Sequence, residues 1–133
     1  MRLVPDDAWA VLTLWGEVRG EPMAGKVAVA RVIRNRMARH YFSDGTVTGT
    51  VLYPYQFEMW DSKDHNRRGA AVIDAKALDV EECREAWDRS ATDDGGIGAA
   101  VLYYNPGAVS AIPSWAIASK QVAIVGAHVF FNA

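Results

Sequence analysis

The stretch Trp15-Gly16-Glu17-Val18-Arg19-Gly20-Glu21-Pro22, continued by Met23-Ala24-Gly25-Lys26-Val27-Ala28-Val29-Ala30, decides how the chain is read. It ends one helix and starts another within a few residues. Upstream, Ala8, Val11, Leu12 and Trp15 recur at helical spacing behind Pro5 and Asp6, and Asp6 suits an N-cap, so a first helix is expected from there to about Glu17. Gly20 and Pro22 stop it. Proline fits the first turn of a helix, because the amide hydrogen it lacks would have no partner there, and a second helix follows to about His40. Along it Val29, Ala30, Ile33 and Met37 make an apolar stripe, with Arg31, Arg34 and Arg39 pointing elsewhere.

Further out, Ser43-Asp44-Gly45-Thr46 reads as a turn and a new cap, leading a short helical piece to about Tyr53 ahead of Pro54. Asp61 to Ala77 has no assignable period. Asp79 to Ser90 is helix-like, with Val80, Cys83 and Trp87 as a narrow stripe among charges. After Gly95-Gly96 the texture changes. Val101-Leu102-Tyr103-Tyr104, Val122-Ala123-Ile124-Val125 and His128-Val129-Phe130-Phe131 are short and rich in β-branched and aromatic residues, and Gly126-Ala127 joins the last two as a hairpin. The expected fold is α+β, mainly helical with a small C-terminal antiparallel sheet or hairpin.

With 133 residues, 50% hydrophobic and 23% charged, residues 1–133 suit a single domain with its own core. Cys83 is the one cysteine, so no intrachain disulfide forms, and it reads as a small buried hydrophobe. Pairing it with His128 as a nucleophile is disfavoured by Glu81, Glu82 and Glu85, which oppose a thiolate. No apolar run is long enough to cross a bilayer, and the opening Met1 to Asp7 lacks the hydrophobic stretch of a secretory signal, so the protein is expected to be soluble in the cytoplasm where it is made. His40, His65 and His128 have no metal-ligand spacing and no glycine-rich phosphate loop is present, so no metal or cofactor is expected. Residues 1–40 hold seven Lys/Arg against four Asp/Glu, a balance of +3 within a chain of net charge −2. Arg31, Arg34, Arg36 and Arg39 therefore invite a nucleic-acid reading, but no recognised module accompanies them and the pI of 5.9 argues against it.

Glu17 is the first candidate for chemistry. It sits at the end of an apolar helix before a glycine-containing break, where a half-buried carboxyl has its pKa raised toward that of a general acid. The structural alternative is a pairing with Arg19. Glu21, between Gly20 and Pro22, suits the N-terminus of the second helix, where its charge complements the helix dipole. Two aromatic groups supply a second clue: Tyr53, Tyr55, Phe57 and Trp60 surround Pro54 and Gln56, while Tyr103, Tyr104 and Trp115 surround Asn105 and Pro106. Aromatic faces mixed with amides suit sugar rings, although buried packing is the alternative for each.

These residues also carry a family resemblance. The run from Trp15 to Pro22, then Gly25-Lys26-Val27-Ala28-Val29-Ala30 and Val32-Ile33-Arg34-Asn35-Arg36, resembles the opening of SleB-type cell-wall hydrolases, the spore-cortex-lytic family. Tyr53-Pro54-Tyr55-Gln56-Phe57, Tyr103-Tyr104-Asn105-Pro106, Ser114-Trp115 and Val125-Gly126-Ala127-His128-Val129-Phe130 resemble its later segments, in order and over nearly the whole chain. The sequence departs from that pattern at Val18 and Glu58, where small residues are common, and at Ala127, which replaces an Asn.

The resemblance implies a lysozyme-like catalytic domain that cleaves peptidoglycan glycan strands between N-acetylmuramic acid and N-acetylglucosamine, with Glu17 as the catalytic acid. It implies sugar binding by Gln56, Phe57, Tyr104, Asn105 and Trp115, and Gln56, Tyr104 and Asn105 are expected within reach of the Glu17 carboxyl. A hydrolase needs a second carboxyl, for which Glu21 and Asp61 are the candidates, whereas a lytic transglycosylase needs one, because the 6-hydroxyl of the muramic residue attacks the anomeric carbon. The resemblance points to the latter and to 1,6-anhydromuramic ends. A hydrolytic muramidase and a non-catalytic wall-binding module are the alternatives. The expected partner is the glycan strand, with no nucleic acid, no stable membrane insertion and a monomeric enzyme. A minimal catalytic domain without an export signal resembles a bacteriophage lysin, acting on the wall after release in an infected host.

Overall fold

The computed structural model describes residues 6–60 and 78–133. Helix α1 (Asp6–Val18) leads into α2 (Met23–Arg39), followed by α3 (Val47–Val51), a 3-10 turn at Glu58–Trp60 and α4 (Leu78–Arg89). Strand β1 (Leu102–Tyr104), a second 3-10 turn at Ala118–Lys120, β2 (Gln121–Val125) and β3 (His128–Phe131) complete the order. The α+β class with a small antiparallel sheet is as read from the sequence. The unassigned stretch from Asp61 to Ala77 lies outside the described residues.

Helix α2 is the centre of the packing. Residues 25–30 are all buried, as are Val32, Ile33, Asn35 and Arg36, because α1, α3 and α4 cover it from different sides. The expected stripe is there, with Val29, Ala30 and Ile33 buried and Met37 packed on the core, but enclosure on several sides makes the buried surface wider than one face. Its small Gly25, Ala28 and Ala30 let the neighbouring elements approach. Lys26 is 2% exposed, and its ammonium is met by Glu82 Oε2 on α4 at 2.7 Å.

The arginines of α2 are staples. Arg31 Nη1 donates to the Ser90 carbonyl, while Arg34 donates to Ser90 Oγ and the Trp87 carbonyl and lies 3.8 Å over the Trp87 ring. Arg39 donates to the Ala99 carbonyl. The basic run that invited a nucleic-acid reading thus holds α2 to α4 and to the chain before β1.

The buried face of α1 also differs from expectation. Ala10, Val11, Thr13, Leu14 and Val18 are buried, whereas Ala8, Leu12 and Trp15 are half-buried, a rotation of about one residue. Asp6 lies within the helix and accepts from Thr48 Oγ1. Thr46 caps α3 by accepting the Gly49 N–H at 2.9 Å, as the Ser43 to Thr46 turn foretold. On α4, Cys83 is fully buried, and burial pushes its thiol up to about 11, which removes it as a nucleophile.

The sheet order is β1-β3-β2, with Tyr103 opposite Phe130 and Val125 opposite His128. Gly126 turns the hairpin at φ 58°, a conformation that costs glycine nothing. Alternation sends Tyr103, His128 and Phe130 toward the helical core, and Leu102, Tyr104 and Phe131 toward a second cluster with Trp115. No helix among the described residues is long and apolar enough to cross a membrane.

Candidate active site

A cleft of about 680 Å³ opens where the end of α1, the loop before the first 3-10 turn, β1 and the hairpin turn converge. That volume is in the range of about 300–1,000 Å³ typical of ligand sites. Its walls include Gly16, Glu17 and Glu21 from the first helix and its exit, Arg36 from α2, and Tyr55, Gln56 and Glu58 from the loop. Tyr103, Tyr104, Asn105, Trp115, Ala127 and His128 form the opposite side.

Glu17 follows Ala10, Thr13 and Leu14 by seven, four and three residues, so helix geometry puts it on the buried face, at the end where the helix stops and the cleft begins. It is half-buried, and its Oε1 accepts the Met59 N–H at 3.2 Å. The neighbouring Arg19 guanidinium lies 4.2 Å over the Trp15 ring and donates to the Trp15 carbonyl. Gly16 makes the meeting with Met59 possible: a Cβ there would collide with Met59 Sδ and stand 2.8 Å from its Cγ.

Glu21 stands beside the first turn of α2, and it also reaches across the fold. Its Oε1 accepts the Ala127 N–H at 3.0 Å and the Nδ1–H of His128 at 2.8 Å, which ties the hairpin turn to the exit of α1 across 107 residues. The carboxylate can only accept, so the imidazole carries its hydrogen on Nδ1. Since a backbone amide makes the contact at position 127, Ala in place of Asn leaves it intact.

Of the expected sugar-binding residues, Gln56, Tyr104, Asn105 and Trp115 share the cleft with Glu17. Phe57 does not. It is 2% exposed, packed in the main core with the Arg36 guanidinium 5.2 Å from its ring, so its expected place at the sugar site is corrected to a core role. Tyr104 and Trp115 meet edge to face at 5.8 Å and both pack on Phe131, which makes them one aromatic wall. Asn105 Oδ1 accepts the Gly107 N–H at 2.9 Å, closing a turn, so the amide nitrogen is the group it can offer a ligand. Asn105→Asp is then expected to keep the turn and the melting temperature, measured by thermal denaturation, while replacing the donor it offers the cleft with an acceptor and weakening any turnover there by a factor of about 10 to 1,000. Asp61 and His65 lie outside the described residues.

Three cleft residues were named from the sequence but given no individual site role. Arg36 is 4% exposed; its Nε donates to the Val101 carbonyl at 2.7 Å and its Nη1 to Gln56 Oε1 at 3.2 Å, which fixes the Gln56 amide. Its spacing after Val29, Val32 and Ile33 is the signal that could have found it. Tyr103 stands edge-on to His128 at 5.3 Å, and burial followed by the Glu17 charge pushes its phenol well above the usual tyrosine value. Tyr55, grouped with the aromatics above but assigned no site role, is 91% exposed at the rim with φ 63°, a strained backbone for a tyrosine. No group of three or more His, Cys, Asp or Glu placed to hold a metal occurs among the described residues.

A family model described as Cell Wall Hydrolase matches residues 20–131. The matched stretch holds Glu21, Arg36, Gln56, Asn105 and His128, and Glu17 stands three residues before it. Spore cortex-lytic enzymes of Oceanobacillus iheyensis and Halalkalibacterium halodurans are 34% and 32% identical, over 88% and 90% of this chain and 38% and 32% of their own length. The chain therefore spans about a third of the length of these relatives. Among solved structures, the catalytic domain of the germination-specific lytic transglycosylase SleB from Bacillus anthracis matches with a TM-score of 0.72 at 27% identity, covering 97% of this chain and 100% of that one. The catalytic domain of the Bacillus cereus SleB protein gives 0.73 at 29%, covering 96% and 89%. The two relatives named by sequence are spore cortex-lytic enzymes.

Proposed function

The chain belongs to the cell wall hydrolase family, and from that premise we propose that it is a lytic transglycosylase cleaving peptidoglycan between N-acetylmuramic acid and N-acetylglucosamine. The observation that carries this reading is Glu17: a half-buried carboxyl at the end of α1, held against the Met59 N–H, facing a cleft of amides and aromatic rings. In this reading Glu17 is the acid. Its proton passes to the glycosidic oxygen as the bond to the anomeric carbon breaks, and positive charge builds on the sugar ring. The carboxylate left behind then takes the proton of the muramic 6-hydroxyl as that oxygen bonds to the anomeric carbon. Glu17 ends protonated again, and no water is consumed.

Hydrolysis would require a second carboxylate to attack the sugar or activate water. Glu21 shares the cleft, but its Oε1 is engaged by the Ala127 N–H and His128, which favours a holding role. Mass spectrometry of digested walls tests the reading. Anhydromuropeptides, lighter by one water than hydrolytic fragments, are the expected product. Reducing muramic ends as the sole product would move the assignment to a muramidase and return attention to Glu21, and walls bound but never solubilised would make the domain a binding module. At the rim, Tyr55 offers an exposed ring for stacking on a pyranose face.

A further inference from the structure

We propose that Arg36 and the Gln56 amide it holds form a carboxylate-binding subsite in the floor of the cleft, which selects anionic over neutral glycans; the proposal rests on the wall-glycan reading above. The ground for it is a charge without a counter-charge. Arg36 is 4% exposed and its guanidinium makes no ion pair among the described residues; its two acceptors, the Val101 carbonyl and Gln56 Oε1, are neutral, and the Tyr41 and Phe57 rings at 5.8 and 5.2 Å carry no net charge. Buried guanidinium groups are ordinarily paired, since removing the charge from water is costly and arginine does not give up its proton. Here burial lowers the pKa from the ordinary arginine value, and no neighbouring carboxylate offsets it.

The other arginines of α2 show what a purely structural role looks like. Arg31 and Arg34 staple helices through neutral acceptors from half-exposed positions, where water shares the charge. Arg31 and Arg34 line a shallow groove of their own, whereas Arg36 lines the cleft that holds Glu17 and is far more buried than either. Its second amino group has no acceptor among the described residues, and no buried side-chain nitrogen or oxygen there lacks a partner, so that group stays accessible on a residue that lines the cleft. The N–H donors of that amino group, with the NH2 of the Gln56 side chain whose oxygen Arg36 holds, can meet the oxygens of a carboxylate in charge-assisted hydrogen bonds. Glu17, Glu21 and Glu58 line the same cleft, so Arg36 is the place in it where an anion is favoured.

Wall glycans carry carboxylates from two sources: the lactyl group of a muramic residue free of its peptide, and the stem peptide where one is attached. Chitin fragments carry neither. Calorimetric titration of the intact protein with four ligands separates these cases: the N-acetylglucosaminyl-N-acetylmuramic acid disaccharide, its methyl ester, the same disaccharide bearing its stem peptide, and chitobiose. The acid form, the peptide form or both should bind about 10-fold or more tightly than the ester and chitobiose. Preference for the free acid assigns the lactyl group, and preference for the peptide form assigns the stem. Arg36→Gln should level the affinities. The ester comparison needs no variant, so it decides the matter even if Arg36→Gln fails to fold. Equal affinity for all four would overturn the subsite and leave Arg36 as a staple. Because binding is read without turnover, a preference for carboxylates in a protein that does not solubilise walls would overturn the transglycosylase reading and not this one.

Discussion

Glu17→Gln should lower wall clearing by a factor of about 100 to 10,000 while leaving the circular dichroism spectrum and melting temperature close to those of the parent. Glutamine has the same shape and keeps an oxygen that can accept the Met59 N–H, so the turn at Glu58–Trp60 stays against α1. What it lacks is a transferable proton. Both halves of the proposed reaction pass through that proton, first to the leaving oxygen and then back from the 6-hydroxyl, so the loss falls on turnover with little change in glycan affinity. Glu17→Asp is a useful companion: it keeps the acid but withdraws it by one methylene, and should recover only a small part of the rate. Full activity of the Gln variant would overturn the assignment of Glu17. Loss of activity together with loss of the folded spectrum would point to a structural carboxyl.

The parts of this molecule that could be read from the sequence are those decided over a few residues. The break at Gly20 and Pro22, the Thr46 cap and the Gly126-Ala127 turn are local chemistry, and each stands where it was expected. Burial was harder to read. In α1 the apolar Ala8, Leu12 and Trp15 drew attention to one face, while small Ala10 and polar Thr13 belong to the buried one, with Thr13 accepting from Trp60 Nε1 at 2.9 Å. In α2 the arginines at 31, 34, 36 and 39 look alike in the sequence. Only tertiary packing separates Arg36, in the floor of the cleft, from the staples beside it. Phe57 and Gln56 are adjacent, yet one fills the core and the other the cleft, a division that follows from the direction of each side chain. The Glu21 to His128 contact joins residues 107 apart and has no local signature.

Gly16→Ala is expected to lower the melting temperature by roughly 4 to 8 °C, the equivalent of a net loss of about 1 to 2 kcal/mol once overpacking of about 2 to 3 kcal/mol is set against the helix preference for alanine. Helix propensity alone predicts the opposite, since alanine is favoured over glycine by about 1 kcal/mol inside a helix. The packing term should win because the added methyl meets Met59, which is 1% exposed and has nowhere to retreat. If the turn at Glu58–Trp60 moves instead, the Met59 N–H leaves the Glu17 carboxyl and activity should fall by about 10-fold from misplacement of the acid. Truncating Met59 separates these effects. Met59→Ala opens a cavity and destabilises on its own, but added to Gly16→Ala it removes the colliding Sδ and Cγ, so the double variant should be about 1 to 2 kcal/mol more stable than the two single losses predict. Relief is partial, because Met59 Cβ would itself stand 2.9 Å from the new methyl. Strict additivity of the two substitutions, or a Gly16→Ala protein with parental stability and activity, would show that the close approach of the turn to α1 is incidental to how Glu17 is held.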